Sequence, residues 1–215
     1  MPNINLHFLN AQNQLSAHRE WLHRCLTETF ARSDRLMPLP AVDVVVKAGA
    51  FVIPEKGHLG FCPEPGLITI TVDPQSPAFC QNDAQSLERM FAHELHHAVR
   101  RAAVGYGATL GEVIVSEGLA GHFALEVFAG EPEPWERLSA EEDVTPWLPS
   151  LSELWDSRDY DHNAWFFGTG SLPRWLGYSA GFQLLSRYFA ASPHQRASLL
   201  AGEGAEAFRE FVFVR

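Results

Sequence analysis

Three features of this 215-residue chain predict an α+β fold, with a small N-terminal sheet and one helix followed by a mainly helical remainder. β-Rich runs are confined to the first third. Two long helical patterns then follow one another at the centre, and helical spacing continues almost to the end. The length suits one domain, 1–215, with an α+β part at 1–75 and a mainly helical part at 76–215.

The elements can be justified in order. Residues 4–9 alternate apolar and polar, as a half-buried strand does, and 16–32 read as an amphipathic helix. Residues 42–47 and 67–73 are rich in Val, Ile and Thr and are bounded by Pro and Gly, which marks strands. Residues 57–62 form a further extended candidate. Over 83–103 the apolar residues Leu87, Met90, Phe91, Leu95, Ala98 and Val99 recur at helical spacing. Asn82 or Asp83 can cap the start of this helix, and Arg100 and Arg101 suit its last turn.

This helix carries His93-Glu94-Leu95-His96-His97, an H-E-x-x-H motif. Four residues of α-helix turn about 400°, so His93 and His97 leave one face about 6 Å apart and can bind one Zn²⁺. Glu94 then lies beside the metal and can take a proton from a zinc-bound water. A His-rich solvated face is the bland alternative, and the apolar periodicity argues against it.

A catalytic zinc usually takes three protein ligands. The continuation H-x-x-G-x-x-H is excluded, because Arg100 and Ala103 occupy its Gly and His positions. A Glu from a second helix is the other common solution. Residues 104–108 form a Gly-containing loop, and Thr109 and Glu112 match a capping box opening a helix over 109–129, with Gly130 as its stop. That helix is apolar on nearly every side, so it is central to the fold. A carboxylate there is costly unless paired or bound to metal. Glu117 lies in its middle and is the preferred third ligand; pairing with Arg100 or Arg101 is the alternative. Glu112 is explained by capping, Glu126 lies toward the far end, and His122 points about 140° away. Gly118 and Gly121 would let the two helices approach closely.

The order of two His and a Glu is similar to that of the thermolysin-like, gluzincin-type metallopeptidases. H-E-L-H-H-A-V-R-R, S-E-G-L-A-G-H-F and P-R-W-L-G-Y-S-A-G-F together resemble, over residues 57–190, a bacterial family of zinc-dependent proteases known only as predicted ones. The resemblance implies a zincin-like fold and a zinc peptidase with His93, His97 and Glu117 as ligands and Glu94 as general base. The zinc-bound water, activated by Glu94, would attack the peptide bond. One departure stands out. Where thermolysin-like enzymes carry an Asp that orients the first His, this chain has Gly121.

Hydrolysis also needs a donor for the oxyanion. Tyr178, between Gly177 and Gly181, is the preferred catalytic candidate, with a satisfied core tyrosine as its alternative and His162, Tyr160 and Tyr106 behind it. Peptidases of this type usually add the substrate backbone to a strand edge, and either 57–62 or 67–71 could offer one. Residues 165–170 read as a core plug and turn, or as one wall of a cleft. The acidic stretch 131–161 reads as a solvated connector long enough to form a lid. Further helices are expected over 176–190, after a Ser192 cap, and around Phe208 and Phe211.

A net charge of −10 with no basic run excludes a nucleic-acid partner, and no apolar run is long enough for a membrane span. Three cysteines without C-x-x-C spacing read as buried or incidental thiols, and with no recognisable signal segment the default location is cytoplasmic. The expected partner is a peptide or protein substrate. The competing function is a catalytically silent zinc domain that binds peptides, which would have no need of the intact Glu94.

Overall fold

The computed structural model describes residues 3–137 and 144–213. Its chain is α+β, with one four-stranded mixed sheet and many helices. By internal contacts it divides into two compact units, Met1–Ala102 with Val127–Gly130, and Ala103–Glu126 with Glu131–Arg215.

The first unit holds the sheet: β1 (Ile4–Leu9), β2 (Val42–Ala48), β3 (His58–Glu64) and β4 (Leu67–Val72), in the order β1-β2-β4-β3. β1 with β2 and β2 with β4 are parallel, and β3 turns back antiparallel to β4. β4 is therefore interior and β3 is an edge. Val42, Val44, Val46, Ile68, Ile70 and Val72 all point to one buried face, as a period of two requires. Leu22, Leu26 and Phe30 from α1 (Arg19–Asp34) join them in the core, with Leu87, Phe91 and Leu95 from α3 (Ser86–Ala103). The short α2 (Pro77–Gln81) precedes α3. Asn82 then serves as the cap: its Oδ1 accepts from Leu87 N at 2.9 Å, and its Nδ2 donates to Glu88 at 2.7 Å.

The second unit is helical, and α4 (Leu110–Phe128) supplies its centre. The capping box forms as its sequence requires: Glu112 accepts from Thr109 N at 2.9 Å and Ala108 N at 2.7 Å, and Glu112 N donates to Thr109 Oγ1 at 3.3 Å. Around α4 come α5 (Leu148–Glu153), α6 (His162–Phe167) and α7 (Leu176–Ala191). A Cβ on Gly118 would overlap the carbonyl of Gly181, so that glycine lets α4 and α7 cross backbone to backbone.

Two expectations are corrected. Ser192 caps no α-helix: its carbonyl accepts from Gln195 N in a turn, and two 3-10 segments follow, Ala197–Leu199 and Ala205–Val212, the second standing where a helix was expected around Phe208 and Phe211. The stretch 131–161 is more than a solvated connector, since Glu133, Glu136, Val144 and Trp155 are buried and α5 lies within it. Residues 138–143 of that stretch lie outside the described residues. In 165–170, Trp165 and Phe166 are buried while Phe167 is half exposed, and Gly168 ends α6 with a left-handed turn. Among the described residues no helix is long and apolar enough to cross a membrane.

Candidate metal centre

α3 is buried on nearly all sides, and its motif lies inside the protein rather than on a solvated face. Glu94, His96 and His97 are buried and His93 is half-buried. Helical geometry brings the Nε2 atoms of His93 and His97 to 2.9 Å from each other, with the rings nearly perpendicular. Two nitrogens bound to one tetrahedral zinc would stand about 3.3 Å apart, given Zn–N bonds of about 2.0–2.1 Å. The pair is thus set as two converging lone pairs.

Glu94 lies against the edge strand. A Cβ on Gly60 would overlap the sulfur of Met90 and come within 2.6 Å of Glu94 Cγ and 2.9 Å of its Oε1. Only a glycine lets the β3 backbone run this close to the carboxylate. Two residues on, burial and the charge of Glu94 hold the Cys62 thiol up at about 12, so it stays protonated at neutral pH. Cys62 and Cys25 are buried free thiols and Cys80 is an exposed one.

In the second unit Glu117 sits buried in the middle of α4 and accepts a hydrogen bond from the Tyr106 hydroxyl. Ser116, next along the helix, donates its hydroxyl to the Tyr106 carbonyl. Tyr160 and His162 feel the charge of Glu117. Burial first and then that charge raise the Tyr160 hydroxyl, while burial lowers His162 against the opposing pull of Glu117. Their side chains meet each other at 3.3 Å, and His162 stacks on Phe166. Tyr178 is half-buried on α7, its ring edge-on to Phe166 at 5.1 Å. The space that a side chain at Gly121 would fill is taken by Glu136, whose carboxyl carbon would lie 3.0 Å from a Cβ there. No residue type or spacing pointed to Glu136, because its position depends on the return of the chain after α4.

His122 is not part of this group. It stacks on Phe182 at 4.0 Å and bonds to the Phe182 carbonyl, and burial lowers it to about 4. Glu126 is occupied by Ser198, accepting from its N at 3.0 Å and its hydroxyl at 2.5 Å. Among the described residues, one set of three metal-ligating side chains, His93, His97 and Glu117, offers ligand atoms that all lie within 4.8 Å of one another. Two neutral imidazoles and a carboxylate fit a zinc ion.

Residues 22–209 match a protein family described as a predicted Zn-dependent protease (DUF2268). The chain belongs to this family. It is also similar to the uncharacterised protein YjfC of Bacillus subtilis (strain 168), with 26% identity over 149 residues, which is 62% of this chain and 48% of YjfC. The chain thus spans about half the length of the curated relative it matches. No solved structure matches.

Proposed function

We propose that this family member is a zinc-dependent peptidase of the zincin-like, gluzincin type, with His93, His97 and Glu117 as metal ligands and Glu94 as general base. The observation that carries the reading is a three-residue ligand set among the described residues whose members include both histidines of a motif that also holds an acid between them. The family's description supports the same metal and reaction class. When bound, the metal would polarise the substrate carbonyl and lower the pKa of water toward about 7.

The chain's own groups supply the rest. The Glu94 carboxylate takes a proton from the attacking water and passes it to the leaving amine nitrogen. Gly60 keeps β3 against that carboxylate, and β3 is a sheet edge, so an extended peptide can add as the next strand with its backbone alongside Glu94. β4, the other strand considered for this role, is paired on both sides. Tyr178 is proposed as the hydroxyl that donates to the oxyanion.

Zinc content of protein prepared without chelators, measured together with a mass-spectrometric digest of a diverse peptide mixture, tests the proposal. One zinc per chain and cleavage abolished by chelation are expected. Stoichiometric zinc with no cleavage of any peptide would instead establish a binding domain.

A further inference from the structure

The loop between α3 and α4 is built around one side chain. Gly105 and Gly107 flank Tyr106 with φ of +85° and +131°, conformations that L residues rarely adopt. A Cβ on Gly107 would also come within 2.9 Å of the backbone at Glu112 and Val113, so the loop lies flat against the first turn of α4. Ser116 grips the loop from the helix side by donating to the Tyr106 carbonyl. The result is a tyrosine whose hydroxyl donates to Glu117 Oε1.

We propose that Tyr106 is a positioning residue for the metal centre: by donating to one carboxylate oxygen of Glu117 it fixes the rotamer of that side chain and presents the other oxygen to the ion. The inference rests on the reading of Glu117 as a metal ligand. Its physical basis is general. A carboxylate ligand has two equivalent oxygens and freely rotating torsions, and a hydrogen bond to one oxygen removes that freedom before the metal arrives. In the interior such a bond to an ionised group is also stronger than one between neutral partners. Tyr160 and His162 sense the charge of Glu117 and are bonded to each other, and the Tyr106 hydroxyl donates to the carboxylate itself.

The test is zinc affinity, read by competition with a chromogenic chelator, in the full chain and in Tyr106→Phe, Ser116→Ala and Glu117→Gln. Tyr106→Phe is expected to raise the zinc Kd about 10- to 100-fold. Ser116→Ala should shift it in the same direction by less. The Tyr106→Phe change should add little in a Glu117→Gln background, because the shared carboxylate is gone. An unchanged zinc Kd in Tyr106→Phe, whether turnover falls or holds, overturns the proposal, since a fall in turnover alone would make Tyr106 a catalytic donor. The circular dichroism of metal-free Tyr106→Phe shows that the variant is folded, and a folded apoprotein with unaltered affinity counts against the proposal. Failure of the wild type to bind zinc at all would instead reject the metal centre itself.

Discussion

The backbone of Gly60 runs so close to Glu94 that a single methyl group on it would stand 2.6 Å from the Glu94 side chain. The edge strand and the helix of the H-E-x-x-H motif are thereby fitted to each other at the residue proposed to move the proton. Gly60→Ala must displace Glu94 or Met90. We expect folded protein destabilised by about 1–3 kcal/mol, the usual range for overpacking, and a larger loss in kcat than in metal content. Thermal unfolding, zinc analysis and peptide turnover on one preparation check this. Full turnover would show that the strand does not set the position of Glu94.

The crossing of α4 over α7 depends on an equally close approach. Gly118→Ala would drive a methyl into the Gly181 carbonyl, a backbone group that has no rotamer to escape into. The expected cost is about 3 kcal/mol, seen as a lowered denaturant midpoint at unchanged m-value. Gly204→Ala, where nothing lies within 4 Å of the added Cβ, is the neutral comparison.

Buried His122 makes stability depend on pH. Burial lowers its folded value to about 4, below the ordinary histidine value of 6.5. The unfolded chain therefore binds this proton first, so the contribution is fully present above pH 6.5 and is lost as pH falls toward about 4. The loss is of the order of 3 kcal/mol over that window. Urea midpoints between pH 4 and pH 7 measure it, and His122→Gln should flatten the dependence. A wild-type curve as flat as that of the variant would contradict the assignment.

Much of this fold is readable in the chain because its signals are local. β1, β2 and β4 follow from alternating or β-branched runs, and α3, α4 and α7 follow from helical periodicity. Asn82, Thr109 and Glu112 cap as their types and spacings require. The motif was legible for the same reason, since helical geometry alone sets the convergence of His93 and His97. What sequence did not give is what the folded chain assembles over distance. Which strand is the edge depends on β3 pairing outside β4, and a register shift between Phe61 and Glu64 blurs the pattern of β3. That Gly118 meets the Gly181 carbonyl of α7 depends on a helix crossing 63 residues further along the chain, the interval from 118 to 181. The bond from Tyr106 to Glu117 depends on a loop path that two positive-φ glycines set, and a one-dimensional pattern does not encode such a path. Glu136 reaches Gly121 only through a 15-residue return of the chain, the interval from 121 to 136.

Glu94 is the proposed general base, and Glu94→Gln isolates that role because the change keeps the shape of the side chain and removes its basicity. Zinc content and peptide cleavage should be measured on wild type and variant in parallel. One zinc per chain is expected in both proteins, with cleavage by the variant reduced about 10²- to 10⁴-fold. Wild-type cleavage by a zinc-loaded Glu94→Gln protein would contradict the role of Glu94 as general base.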